Sequence, residues 1–475
     1  MVHRLTRRTA LAAGVLVLGL DPLTRTWTAS AAGPLDRIPQ LDGELVFDQA
    51  ALEAAADDYG HLVHRAPLAV LRPGSVGDVA AMVGFCRRHG LKVAGRGQGH
   101  STNGQAQVPA GLVIDLGTLD GITLHGHRAV VQAGARWSAL LQACLPLGLT
   151  PPVLTDYLEL SVGGTLSVGG LGGQVGHYGA QVDNVLELQV VTGEGKIATC
   201  SPTVRPDLFR AAVGGLGQVA IITRATISMV PAATTARRYN LTYPTVAALT
   251  AQQRKLIKDG RFDYVEGQVQ PLPAGGWTYL LEAVAYDATP ADDTRLIGDL
   301  AHASVAIDDL TYFDFLNRIG PVVDILKSLG EWQRPHPWLD SLIPASAVNA
   351  VVKTTLAGLD ADGIGASAVI LLYPILTRRR RTPLPVMPDE ELVYLFSVLK
   401  TASPGADSAQ AMVTANRHQF ELVRAAGGTW YPIGSVDPFS QADWRRHFGS
   451  FWPVLRAARR RYDPDGVLTP GQRIF

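Results

Sequence analysis

Two residues in this chain have surroundings that suit chemistry. His100 sits in Gly95-Arg96-Gly97-Gln98-Gly99-His100-Ser101, the tightest glycine run of the sequence. Such a loop gives a side chain little to pack against, so its residues commonly face a ligand, although a lone histidine is more often structural. Asp156 lies between Thr155 and Tyr157. A carboxylate beside an aromatic, apolar stretch can take a proton in a reaction, while an Asp after a Thr can equally be a turn or cap residue.

Around these residues the backbone is built for close approach. A second glycine-rich region runs from Gly163 to Gly179, and Gly214-Gly215-Leu216-Gly217 follows later. Gly95, Gly97 and Gly99 do not make G-x-G-x-x-G, and no G-x-x-x-x-G-K-[ST] occurs, so the Rossmann fingerprint and the P-loop are both missing. Small residues with free N–H groups still form anion-binding nests, which makes a diphosphate cofactor the natural expectation.

The elements that must position these loops alternate between helix and strand. Ala69–Arg72 reads as a strand ended by Pro73. Ser75 caps a helix whose apolar residues Val79, Met82, Val83 and Cys86 recur at helical spacing, and Gly90 stops it. Lys92 to Ala94 forms a strand that runs into the His100 loop. Leu112, Ile114 and Leu116 alternate in the next strand, and Ser138 is expected to cap a helix containing Leu140, Leu141 and Cys144. Further strands are expected at 185–192 and 219–227. Near Pro231 the glycine clusters thin out, which suggests a domain boundary. The last nine residues have no helix or strand pattern and need a surface to dock on.

Composition narrows the class. Lys plus Arg and Asp plus Glu stand at 42 each, so no basic field argues for nucleic acid. Cys86, Cys144 and Cys200 have neither zinc-site nor disulfide-framework spacing, so buried free thiols are expected and no metal site is. The N-terminus reads as an export signal over residues 1–31. It has the pair Arg7-Arg8, an apolar run from Thr9 to Leu20 and a small-residue site at Ala29-Ser30-Ala31. The apolar run is too short to span a membrane. The run Arg378 to Arg381 reads as a solvated loop.

Gly97-Gln98-Gly99-His100-Ser101-Thr102-Asn103-Gly104-Gln105-Ala106 resembles the flavin-attachment loop of the cytokinin dehydrogenases, in the vanillyl-alcohol-oxidase superfamily. The resemblance continues in order through Thr155-Asp156-Tyr157-Leu158, Val162-Gly163-Gly164-Thr165-Leu166-Ser167, Gly214-Gly215-Leu216-Gly217-Gln218, Tyr264-Val265-Glu266-Gly267, Pro335-His336-Pro337-Trp338-Leu339 and Thr469-Pro470-Gly471-Gln472-Arg473-Ile474-Phe475. It implies an α+β fold of two domains. A PCMH-type FAD-binding domain would comprise residues 36–231, completed by 433–475, and an α+β substrate cap domain would comprise 232–432.

The resemblance also implies roles. His100 matches the histidine bonded to the flavin. Gly97, Gly99, Ser101 and Gln105 match the loop around the FAD diphosphate and ring. Ser161, Ser167, Leu171 and Ile222 match further flavin and adenine contacts, Tyr431 a position near the flavin, and Thr469 and Gln472 a C-terminal clamp. The stretch Leu160-Ser161-Val162-Gly163 lacks the cysteine that makes a second flavin bond in berberine-bridge relatives, so a single attachment is implied. Asp156 matches the catalytic base and Glu266 the acid that orients the substrate.

Tyr431, Trp338 and Tyr264 would line a flat slot for a purine-like molecule, with a quinone-like acceptor or oxygen reoxidising the flavin. The segment from Ile375 to Arg381 departs from the plant pattern where the isoprenoid side chain is recognised. The expected activity is oxidation of the N6 side chain of an isoprenoid adenine. The alternatives are a FAD-linked oxidase of a sugar, alcohol or secondary metabolite, and an exported flavin- or purine-binding protein without turnover.

Overall fold

The computed structural model describes residues 19–21, 26–28 and 36–475. The arginine pair and the Ala29-Ser30-Ala31 site of the expected export signal lie outside them.

Three sheets carry the architecture. The first has four strands in the order Glu44–Val46, Ala69–Arg72, Leu112–Asp115, Val93–Arg96. Its outer pair of Glu44–Val46 and Ala69–Arg72 is antiparallel and the other pairs are parallel. Ser75 accepts the Asp78 N–H and starts the helix Val76–Arg88, which covers this sheet. Leu112, Val113 and Ile114 are all buried, as expected of a parallel strand covered on both faces, and Leu116 belongs to the following 3₁₀ turn. The alternation expected there was therefore a run.

The second sheet is antiparallel, ordered Ile197–Cys200, Val185–Thr192, Ala220–Ser228, Arg128–Gln132, Ile122–His125. The helix Trp137–Cys144 packs beside it. Its cap is not Ser138, which lies inside the first turn. Arg136 occupies the cap position without a side-chain bond, and the carbonyls of Leu160 and Leu158 accept the N–H groups of Trp137 and Ser138. A neighbouring loop thus satisfies the orphan donors that a side chain was expected to take. All three cysteines are free and buried.

The third sheet is an eight-stranded antiparallel one whose strands lie between Thr235 and Trp430. Glu266 pairs with Glu282, Gln268 with Leu371, Leu371 with Ser397, and Asp340 with Ser397. Because alternate residues share a face, Glu282, Glu266, Tyr373, Ser397 and Asp340 all project from the same side. The helices Val246–Asp259 and Val348–Ala357 back the sheet, with Gln253 Nε2 donating to the Leu372 carbonyl at 2.7 Å.

The Arg378–Arg381 run is only partly solvated. Arg380 is half-buried and donates to the Pro383 carbonyl at 2.7 Å, and the Arg381 N–H donates to Asp183 at 2.6 Å. The carbonyls of the adjoining proline turn need donors, and this guanidinium and the Thr382 hydroxyl supply them.

The C-terminal segment docks as a clasp. The Val93 N–H donates to the Val467 carbonyl at 2.9 Å and the Thr469 N–H to the Val93 carbonyl at 2.8 Å. Buried Asp463 accepts the N–H groups of Val467 and Leu468 at 2.7 and 3.0 Å and pairs with Arg459 at 3.3 Å. Asp463→Ala leaves two buried donors and a guanidinium without their acceptor, and is expected to cost about 3 kcal/mol. Chemical denaturation with the slope held constant measures it.

Asp340 is a buried acid whose Oδ2 has no hydrogen-bond partner. Burial pushes its carboxyl from the usual 3.8 up to about 7, with the Ser397 hydroxyl opposing weakly. The folded chain therefore holds this proton where the unfolded chain has lost it, and stability falls as pH rises from about 4 to about 7. Asp340→Asn removes that slope. The variant is expected to gain about 3 kcal/mol relative to the parent between pH 5 and pH 8, read from melts at the two values.

Candidate active site

The His100 loop leaves the C-terminal end of the Val93–Arg96 strand and is bracketed by backbone bonds. Tyr59 N–H donates to the Gly99 carbonyl at 2.8 Å, and Gly60 N–H to the Ser101 carbonyl at 3.1 Å. Gly99 has φ +65°, a conformation that favours glycine. The Asp58 carboxylate accepts the Gly104 N–H at 2.7 Å, the Ser101 hydroxyl at 3.0 Å and the Gly60 N–H at 3.1 Å. Burial pushes Asp58 up to about 6 against those bonds. Gln105 accepts the Asn103 N–H and donates to the Gly434 carbonyl at 3.2 Å, which ties the loop to the segment after Tyr431.

His100 is surrounded by rings. Its imidazole stacks on Tyr59 with centroids 4.2 Å apart, and Tyr157, Trp338 and Trp332 lie at 5.2, 5.6 and 5.7 Å. Burial, with His336 adding, pushes its pKa down to about 3, so the ring is neutral at ordinary pH.

The facing wall begins at Ser161, which is buried at the start of the short helix Val162–Leu166. A Cβ on Gly97 would overlap Ser161 Oγ, so the absence of a side chain at Gly97 lets the loop close on the Ser161 side chain. Ser167 Oγ donates to the Gly163 carbonyl at 2.7 Å. Leu171 and Ile222 are buried apolar residues of this wall. The Gly170 N–H donates to the Tyr431 hydroxyl at 3.0 Å, and a Cβ at Gly173 would run into the Tyr264 ring. Thr469 Oγ1 donates to the Gly217 carbonyl at 2.8 Å, and the Gln472 carbonyl accepts from Trp444 Nε1 at 3.2 Å. Gly471 sits against the carbonyls of Gly104, Gln105 and Gln107, so the tail closes over the His100 loop. Among the described residues the backbone N–H groups of Gly97 to Ser101 make no hydrogen bond, and such free donors on a glycine loop suit the diphosphate of a dinucleotide.

The acids gather on the sheet face beyond these walls. Arg318, in the turn before the helix Ile319–Ser328, lies among them. Its Nη2 donates to Asp156 Oδ1 at 2.8 Å, to the Tyr264 hydroxyl at 2.5 Å and to Glu282 Oε2 at 2.9 Å, and stands 3.7 Å from Glu266 Oε2. The Tyr264 hydroxyl also donates to Asp156 Oδ1 at 2.7 Å. Burial opposes the Arg318 charge, but Tyr264 and the three carboxyls outweigh it and hold the guanidinium protonated. Burial, reinforced by the Asp156 charge and opposed by Arg318, holds Glu266 well above the usual carboxylate range. Glu266 therefore holds its proton more tightly than a free carboxyl does, and its buried Oε1 has no hydrogen-bond partner among the described residues. Asp156 is half-exposed, and its Oδ2 makes no hydrogen bond among the described residues.

The structure thus joins Asp156 and Glu266 through Arg318 and sets Tyr157, next to Asp156, against His100. Tyr264 and Tyr431 flank the glycine wall, whereas Trp338 sits at the His100 end. Sequence reasoning missed Arg318, Glu282, Asp58 and Tyr59. Glu282 faces Glu266 across a strand pair, a register that the sequence alone does not show.

Two family descriptions match the chain: "FAD binding domain" over residues 67–201, and "Cytokinin dehydrogenase 1, FAD and cytokinin binding" over residues 275–475. An uncharacterized oxidoreductase from the fasciation locus of Rhodococcoides fascians is 39% identical, over 90% of this chain and 98% of that one. Cytokinin dehydrogenase 4 of Oryza sativa subsp. japonica is 36% identical, over 92% of this chain and 90% of its own length. Among solved structures, 6-hydroxy-D-nicotine oxidase from Arthrobacter nicotinovorans superposes with a TM-score of 0.70 at 22% identity, over 90% of this chain and 96% of that one, which establishes a shared fold. With this likeness running the length of the FAD-binding walls and the acid-bearing sheet, the chain belongs to the cytokinin dehydrogenase family of FAD-dependent oxidoreductases.

Proposed function

We propose that this enzyme oxidises the N6 side chain of isoprenoid adenines, cleaving them to adenine and an unsaturated aldehyde. The observation that carries this reading is the placement of Asp156 and Glu266 around one guanidinium, that of Arg318. FAD, when bound, supplies the acceptor for the hydride and its two electrons. Residues 97–101 and 161–167 would hold its diphosphate, with Ile222 toward the adenine, and His100 would carry the single covalent bond to the ring.

The chain's own groups manage the protons. Asp156 Oδ2 is free to take the proton of the N6 amine, while Oδ1 stays fixed by Arg318 and Tyr264. Arg318 compensates the charges of Asp156 and Glu282. Burial favours the protonated form of Glu266, and its unpartnered Oε1 is available to a polar atom of the substrate. The imine then hydrolyses. Reoxidation falls to a quinone-like acceptor or oxygen. The arginine pair near the N-terminus supports export by the twin-arginine route.

Mixing the holoenzyme anaerobically with isopentenyladenine is expected to bleach the flavin, while aldoses, simple alcohols and hydroxy acids leave it yellow. Bleaching by one of the latter alone overturns the substrate. Asp156→Asn keeps the yellow cofactor and loses 10²- to 10⁴-fold in turnover, on the order expected for removal of a general base. Turnover near that of the parent would sink the assignment of the base.

A further inference from the structure

We propose that Tyr59 positions His100 for its bond to the flavin, by covering one face of the imidazole and leaving the ring edge open. The proposal rests on the covalent attachment put forward above. Neither nitrogen of His100 makes a hydrogen bond among the described residues, and four aromatic rings surround the imidazole. The face stacks on Tyr59 at 24° between planes. No hydrogen bond therefore occupies the in-plane nitrogen lone pair, and burial favours the neutral form that a nucleophile requires.

Tyr59 is itself immobilised. His336 stacks behind it with centroids 4.1 Å apart and planes at 8°, and Trp332 leans on it at 4.6 Å. The His336 N–H donates to the Gly60 carbonyl at 2.9 Å. A Cβ on Gly60 would overlap the Thr102 backbone, so the Tyr59 segment approaches the His100 loop as closely as two chains can. Backbone bonds on both sides of His100 hold its main chain, and the stack on Tyr59 orients the imidazole face. That order is assembled before the cofactor reacts, which is how a positioned group lowers a barrier.

In the attachment step an imidazole nitrogen bonds to the ring's 8α carbon and a C–H bond there breaks. The imidazole N–H proton and the 8α C–H proton would both be released, the two electrons of the broken C–H bond would pass to the flavin, and dioxygen would take up two electrons and two protons to give hydrogen peroxide.

The test uses the full chain, produced without flavin and then given FAD in air, with acid-insoluble yellow colour followed over time and total bound FAD measured by filtration. Tyr59→Phe is expected to attach at the parental rate. Tyr59→Ala and Tyr59→Leu are expected to bind FAD yet attach it at least tenfold more slowly, the Leu variant keeping bulk without a π face. Parental rates in both truncations overturn the positioning role, as does loss of FAD binding in both or a Phe variant as slow as Ala. A parent chain whose colour washes out in acid overturns the attachment itself.

Discussion

One guanidinium carries the electrostatics of the acidic cluster. Asp156, Glu282 and Glu266 crowd one patch of the sheet face, and burial together with the Asp156 charge raises Glu266 above the usual carboxylate range. Arg318 touches two directly and stands near the third. Its single charge pairs with Asp156 and Glu282 and opposes the rise of Glu266. The same charge sits over the rings of Tyr264 and Phe315 at 5.0 and 4.7 Å, so the arginine is also locked by packing. Removing a buried cation of this kind leaves uncompensated charge in a low-dielectric setting, a larger penalty than the loss of any one bond.

The sequence revealed the parts of the site that sit on motifs. The glycine loop announces His100, and the strings around Asp156, Glu266 and Tyr431 belong to recognisable stretches. Arg318 had no such signal. It is 162 residues from Asp156 and 36 from Glu282, in a turn between helices where an arginine is unremarkable. Asp58 and Tyr59 were invisible for a similar reason, because a Tyr-Gly pair after a helix reads as an ordinary connection. Long-range pairing, and not local pattern, gives these residues their roles.

The misread elements make the same point at smaller scale. Ser138 looked like a cap because its type fits one, but the loop at Leu158–Leu160 arrived from elsewhere and took the donors. Arg380 looked solvated because it stands in a run of four, yet the proline turn beside it presents carbonyls to which it donates. In both cases a tertiary neighbour satisfied a backbone group that local reasoning had assigned to a side chain or to water.

The tail that clasps the Val93 strand has a bearing on biogenesis. The His100 loop borrows part of its enclosure from Val467 to Gln472, more than 360 residues downstream. While the ribosome is still making the cap sheet, the first sheet stands with one flank bare. A nascent chain at that stage has nothing to seal a cofactor in. Flavin capture is thereby deferred until synthesis has passed the clasp, and truncated products are left colourless and open.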